Sequence, residues 1–96
     1  MAEHRTEYVI RLGPDDRYRH LHNRVRRSIV SFRVQYETRI KDKWLPVVRY
    51  DTAHGYAHRD LLDPDGHATK TPLFNQDPNE ALLFAENDLK ANWIKY

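Results

Sequence analysis

Hydrophobic and polar residues alternate without a break in the middle of the chain. One parity holds Val30, Phe32, Val34, Tyr36, Thr38 and Ile40, and the other holds Ser31, Arg33, Gln35, Glu37 and Arg39. Successive side chains of a β-strand point to opposite faces of the sheet, so this pattern predicts a half-buried antiparallel strand. Its second face is expected to be polar and wet.

Shorter patterns on either side predict further strands. The run "YVIRL" at 8–12 ends at the turn pair Gly13-Pro14 and predicts a first strand. The segment 15–23 has no clean period and is expected to be irregular. A polar turn at 41–43 leads into "WLPVVRY" at 44–50, which predicts the return strand of a hairpin. Pro46 has no N–H for the ladder, which favours an edge position or an outward-facing amide there.

A second hairpin is expected after the middle of the chain. The segment "HRDLLD" predicts a strand, and Asp63-Pro64-Asp65-Gly66 follows it with strong turn chemistry. Proline presets its own φ, and glycine accepts a positive φ. "HATKTPL" then supplies the return strand.

The last twenty residues carry a complete helix start. Asp77 suits the N-cap, Pro78 the first helical position and Glu80 the third. An apolar stripe at helical spacing follows, formed by Leu82, Ala85, Leu89 and Trp93 with Leu83 or Tyr96 beside them. This stripe is expected to lie on the sheet.

These elements predict one α+β domain over residues 1–96. We expect a small twisted antiparallel sheet of about four to five strands packed against one C-terminal helix. The 96 residues are 40% hydrophobic and 31% charged, a globular composition with a thin core, so a homodimer or a complex with a partner is expected to add stability. The absence of cysteine excludes disulfides, thiolate metal sites and a cysteine nucleophile.

The chain shows neither a signal-peptide pattern nor an apolar run long enough for a membrane span. A cytoplasmic protein without a membrane partner is therefore expected.

Arginines are concentrated between positions 17 and 36, a stretch with six arginines and no acidic residue, although the net charge is only +2. The planar guanidinium binds two phosphate oxygens at once, and each neutralised phosphate releases counterions. The predicted nucleic-acid-binding residues are Arg24, Arg26, Arg27, Arg33 and Tyr56. The alternative is a solvated sheet face that is charged for solubility.

The segment "YDTAHGYAHRD" at 50–60 raises the question of a metal site. His54 and His58 are four residues apart, which on a helix places both on one face. Gly55 and the extended pattern around it argue for a bend between strands instead. Asp51 and Asp60 could join the histidines in a loop site, but the cluster is loose, and no metal or other cofactor is predicted.

The same segment offers groups for metal-independent RNA cleavage. Histidine can act as acid or base near neutral pH, and arginine can hold the phosphate. The predicted catalytic residues are His54, His58, Arg49 and Arg59. The alternative is structural, with Asp51 and Thr52 capping the turn and Gly55 at positive φ. Trp44, Val48 and Tyr50 share a parity and are expected to face the core, so that Arg49 points outward.

The segments "VVRYDTAHGYAHRDLLD" and "ALLFAENDLKANW" resemble the TumE toxins of prokaryotic toxin–antitoxin systems and their small relatives. That family shares a strand ending in "VVRYDN", a following "AHG", a strand with "HRH" or "HRD", and a late "NW" in a C-terminal helix. The resemblance covers about residues 44–93. The matching positions are Arg49, Tyr50, Asp51, His54, His58, Arg59 and Asp60. Thr52 stands where asparagine is common, and Asp60 stands where a second histidine is frequent.

The resemblance implies a toxin-like component, with a cognate antitoxin that carries a DNA-binding domain as partner, but it supplies no reaction. Together with the arginines and histidines above, it predicts a component that acts on or binds RNA. We expect a metal-independent endoribonuclease. The alternative is a non-enzymatic module that binds nucleic acid or protein, in which the histidine-rich segment only shapes the hairpin.

Overall fold

The computed structural model describes residues 2–74 and 76–96, except for the side chain of His54. The chain forms six strands and one helix, with a short 3-10 turn after β4 and another at the C-terminus. Their bounds are β1 Glu3–Gly13, β2 Asp16–Val25, β3 Ser28–Ile40, β4 Lys43–Asp51, the 3-10 turn Ala53–Gly55, β5 His58–Leu62, β6 Ala68–Pro72, α1 Pro78–Asn92 and the 3-10 turn Trp93–Lys95.

The six strands form one antiparallel sheet in the order of the chain, from β1 to β6. Helix α1 packs against the middle of one sheet face. The predicted α+β class, the two hairpins and the C-terminal helix are confirmed, and the sheet has six strands rather than four or five.

The extra strand is β2, in the segment that was expected to be irregular. Tyr18 and His20 alternate with Arg17 and Arg19, and the first two are buried against the helix. His20 occupies a position where the alternation requires a buried, apolar side chain. Because histidine is normally counted as polar, the two-residue period of this strand is not visible in the sequence.

A β-bulge in β4 changes which side chains face the core. Tyr36 pairs with Val48, but the next pair joins Glu37 to Pro46, so β4 contains one extra residue. A bulge of one residue reverses the parity of all positions beyond it. The prediction that Trp44 faces the core with Val48 is therefore wrong. Pro46 sits at the bulge of an inner strand, where no ladder donor is required.

Helix α1 begins as its sequence indicates, because the Asp77 side chain accepts a hydrogen bond from the Asn79 backbone N–H. Its buried face supplies Ala81, Leu82, Ala85 and Leu89. They cover the buried sheet residues Tyr18, Phe32, Val34, Tyr36, Val48 and Tyr50. The expected core position of Tyr50 is confirmed. Among the described residues, no helix has the length and apolar character needed to cross a membrane.

The opposite side of the sheet, here called the open face, has no second layer of secondary structure in the described part of the chain. The open face is nevertheless not uniformly exposed to solvent, because Gln35 and Glu37 of β3 are buried. Long arginine side chains from the neighbouring strands lie over these polar groups. This polar, partly covered surface holds the candidate site.

Candidate nucleic-acid interface

Three arginines from adjacent inner strands meet on the open face. Arg19 of β2 pairs with Gln35 of β3, which pairs with Arg49 of β4, and Arg33 lies two residues from Gln35 on the same face. Together with Glu7, Leu21 and Gln35, these arginines line a depression of about 290 Å³. The sheet thus gathers cations that are up to 30 residues apart in sequence.

Hydrogen bonds hold the floor of this depression in place. The Arg49 Nε donates to Gln35 Oε1 at 3.0 Å, and the Gln35 side-chain amide donates to Glu37. Glu37 also pairs with Arg17 and lies 3.7 Å from the Arg19 guanidinium. Because Glu37 is buried and shared, it fixes several arginines while their outer surfaces stay accessible.

A second depression of about 280 Å³ continues from the first, since Leu21 and Arg33 line both. Its further wall includes Asp51, Thr52 and Ala53 at the end of β4. The two depressions form one groove, here called the arginine groove. It runs from the arginines of β2, β3 and β4 to the Asp51 carboxylate.

At that end of the groove lies a buried cluster of Asp51, His58 and Asp60. The His58 Nε2 is 2.9 Å from Asp51 Oδ1 and 3.5 Å from Asp60 Oδ2. The register explains the meeting, because Asp51 pairs directly with His58, and Asp60 follows two residues later on the same face. All three residues are buried, with His58 only 1% exposed.

Tyr56 and Lys70 are two further neighbours of His58. Its Nδ1 lies 3.2 Å from the backbone carbonyl of Tyr56, and the Tyr56 ring lies beside the imidazole with the centroids 5.1 Å apart. The Lys70 ammonium is 3.3 Å from Nε2 and 3.8 Å from Asp60 Oδ1. Because His58 is only 1% exposed, a ribose hydroxyl cannot reach the imidazole without a rearrangement of its neighbours.

Of the four predicted catalytic residues, the structure places Arg59 on a different face from Arg49 and His58. Arg49 and His58 lie on the open face, whereas Arg59 pairs with Tyr50 and therefore lies on the helix face. The backbone of His54 belongs to the 3-10 turn Ala53–Gly55, and its side chain lies outside the described part of the chain.

The predicted nucleic-acid-binding residues are also spread out. Arg33 lines the arginine groove, and Tyr56 lies beside His58 at its end. Arg24, Arg26 and Arg27 lie at the β2–β3 hairpin end, where Arg26 adopts a φ of 56° in the turn. They form a second basic region, apart from the groove.

Sequence reasoning did not select Arg19, Gln35 or Lys70 as site residues. The alternation around Tyr18 would have placed Arg19 on the open face if β2 had been recognised as a strand. The residues around Lys70 in the sequence do not indicate a functional site, because only the pairing of β5 with β6 brings Lys70 opposite Asp60.

A different titratable cluster lies under the helix, around His20. The Tyr18 hydroxyl is 2.7 Å from His20 Nδ1, and His20 Nε2 is 2.6 Å from His22 Nδ1. Burial, together with the nearby charges of His22 and Lys90, lowers the pKa of His20 to about 4. Burial and the Glu86 carboxylate raise the pKa of Tyr18, which keeps its hydroxyl available as a donor. This cluster is part of the core.

The fold and the site define a small α+β domain whose single helix covers one sheet face and whose other face carries an arginine groove ending at an Asp–His–Asp cluster. The sequence matches the family described as Domain of unknown function (DUF7718) over residues 1–96, so the chain belongs to this family. No curated protein and no solved structure matches it. Membership of this family establishes no relation to the TumE toxins.

Proposed function

We propose that this domain binds RNA across the open face of its sheet, with the arginine groove holding the sugar–phosphate backbone. The observation that carries the proposal is the convergence of Arg19, Arg33 and Arg49 from three adjacent strands at one depression. The guanidinium group of arginine can bind two phosphate oxygens at once. Several arginines along a groove can therefore bind successive phosphates of a nucleic-acid backbone.

Accessible guanidinium groups in the groove favour an anionic ligand, although Glu7 also lines it. The side chains of Arg19 and Arg33 are 49% and 50% exposed although both have carboxylate partners. Arg33 Nη2 lies 3.3 Å from Asp51, and Arg19 reaches Glu37 only at 3.7 Å. Each guanidinium has five N–H donors, so one carboxylate leaves donors for a phosphate.

Aromatic side chains near both ends of the open face favour a single strand. Trp44 lies close to the guanidinium groups of Arg17, Arg11 and Arg39, with Arg17 4.1 Å from the ring centroid. Tyr56 is half-buried at the other end, beside His58. Unstacked bases of single-stranded RNA stack on such rings, whereas a duplex keeps its bases inside.

The binding proposal is tested with the Arg19→Gln variant and a labelled single-stranded RNA in fluorescence anisotropy. Arg19 suits this test because Glu37 keeps Arg17 and Gln35 as partners when Arg19 is replaced. We expect a loss of about 1–2 kcal/mol of binding free energy, roughly five- to thirtyfold in Kd. Arg33→Gln is expected to act in the same direction.

The matched control is Lys95→Gln, which removes the same charge from the C-terminal 3-10 turn and is expected to leave Kd within about twofold. Equal weakening by the control and by Arg19→Gln would reject the groove as the binding site. A Kd for this RNA that does not rise with salt concentration would reject phosphate contacts as the source of binding. If Arg27→Gln loses more affinity for RNA than Arg19→Gln does, the binding site lies at the β2–β3 hairpin end and not in the groove.

RNA cleavage is a second candidate function, favoured by the position of the Asp–His–Asp cluster at the end of the groove. Asp51 lines the groove and also contacts His58, so a bound strand passes next to the cluster. The sequence resemblance to the TumE toxins adds a toxin role to this proposal without naming a reaction. It would make the domain an RNA-directed toxin with a cognate antitoxin protein as partner.

The cleavage proposal predicts that His58→Gln abolishes RNA cleavage while Kd for the same RNA stays nearly unchanged, because His58 is buried and lines neither depression of the groove. Products are separated by gel electrophoresis, and folding is checked by circular dichroism. Intact RNA after incubation with the wild-type protein would leave a binding domain without nuclease activity.

A further inference from the structure

We propose that Asp51, His58 and Asp60 form a binding site for one divalent transition-metal ion, of the type of Mn²⁺ or Zn²⁺. One imidazole nitrogen and two carboxylates are ligands that both ions accept. The proposal concerns ion binding alone and does not require that the domain binds RNA. A role of the ion in cleavage would rest on the proposed function above.

Two of the three distances between donor atoms are close to the spacing that a metal ion imposes. With metal–ligand bonds of about 2.1 Å, two ligands at octahedral or tetrahedral angles lie about 3.0–3.4 Å apart. The His58 Nε2 is 2.9 Å from Asp51 Oδ1 and 3.5 Å from Asp60 Oδ2. One donor atom from each residue lies within 4.8 Å of the others. Closing on an ion therefore requires only small movements.

An unsatisfied carboxylate oxygen gives a second, independent indication. Asp60 is 6% exposed, and its Oδ1 is buried without a hydrogen-bond partner among the described residues. The Lys70 ammonium forms an ion pair with this oxygen at 3.8 Å, a distance too long for a hydrogen bond. A buried carboxylate oxygen without a donor is costly, and a coordinated cation would remove that cost.

The orientation of His58 also suits a ligand. Its Nδ1–H can donate to the Tyr56 carbonyl at 3.2 Å, so that loss of the Nε2 proton, which otherwise lies between Nε2 and the carboxylates, would free Nε2 to bind a cation. Metal-binding histidines commonly donate their other N–H to a backbone carbonyl in this way. Asp51 is oriented as well, since Arg33 is 3.3 Å from its Oδ2 while Oδ1 faces His58.

Lys70 lies where a competing cation would lie. Its ammonium is 3.3 Å from His58 Nε2, and its side chain is 39% exposed on the β6 edge strand. An exposed lysine can swing into solvent without breaking the core. The ammonium is thus a replaceable positive charge over two buried carboxylates.

The experiment measures Mn²⁺ binding to the full chain by electron paramagnetic resonance, with the thermal midpoint in Zn²⁺ as a second readout. We expect one bound Mn²⁺ per chain in the wild type and a loss of more than about tenfold in affinity in Asp60→Asn. The control is Asp65→Asn in the exposed Asp63–Asp65–His67 group of the β5–β6 turn, which is expected to change neither readout.

Lys70→Gln keeps the proposal testable if Asp60→Asn does not fold. Removal of the competing ammonium is expected to tighten Mn²⁺ binding severalfold. The proposal is overturned if the wild type binds no Mn²⁺, if Asp60→Asn binds it as tightly as the wild type, or if Lys70→Gln binds it no more tightly. RNA is absent from these measurements, so their failure and the failure of the RNA proposal are separate results.

Discussion

His20 and His58 are equally buried, each 1% exposed, but they lie on opposite faces of the sheet. His20 lies under the helix, where Tyr18 approaches Nδ1 and His22 approaches Nε2. His58 lies between two carboxylates on the open face. The first environment disfavours a positive charge on the ring, whereas the second can accommodate a cation. Residue type and burial alone do not distinguish these two roles.

The lowered pKa of His20 predicts a loss of stability in acid. An unfolded histidine titrates near 6.5, and the folded pKa is about 4, so between these values only the unfolded chain takes up the proton. The contribution of His20 is complete above pH 6.5 and is lost as the pH falls towards 4, at a cost of roughly 3 kcal/mol. The charged groups around the ring are His22, Lys90 and Glu86, and the last opposes part of this loss.

Urea denaturation of the wild type and of His20→Gln at pH 7 and pH 4.5 measures this contribution. We expect the free energy of unfolding to fall less steeply with pH in the variant. His4→Gln, at an exposed position of β1, is the control and should retain the wild-type slope. If the free energy of unfolding falls equally steeply with pH in His20→Gln and in the wild type, groups other than His20 control unfolding in acid.

Among the elements, β4 and α1 differ in how far their local sequence defines them. The helix has its N-cap, its first-turn proline and its apolar stripe within its own residues, and all three predictions are confirmed. Strand β4 contains a bulge that depends on pairing with β3, and no local pattern indicated it. The bulge moves Trp44 to the open face, where it contacts Arg17 rather than the core.

The two faces of α1 predict different costs of substitution. Leu89 is fully buried against the sheet, so Leu89→Ala is expected to destabilise the fold by about 2–5 kcal/mol through lost burial and a residual cavity. Leu83 is 58% exposed on the same helix, and Leu83→Ala is expected to stay within about 0.5 kcal/mol. Chemical denaturation of both variants tests the orientation of the helix. Similar decreases in the free energy of unfolding for the two variants would contradict this orientation.

Over the whole molecule, the net charge of +2 conceals an uneven distribution of charge. The helix covers one sheet face, and the apolar and aromatic core lies between them. Charged side chains of β2, β3 and β4, among them Arg19, Arg33 and Arg49, lie on the other face, where buried Glu37 and Asp51 hold arginines in place. An RNA-binding surface and a cation site can therefore lie side by side without disturbing the core.

The local sequence was sufficient for the α+β class, the alternation of β3, both hairpin turns and the start of the helix, because each depends on neighbours a few residues away. The arginine groove and the Asp–His–Asp cluster depend on strand register instead. Arg19 meets Arg49 only through β3, and Lys70 reaches His58 only through the pairing of β5 with β6. The register of each strand is the one that buries its apolar face together with the apolar faces of all other strands. It is therefore a property of the assembled sheet and not of a single strand.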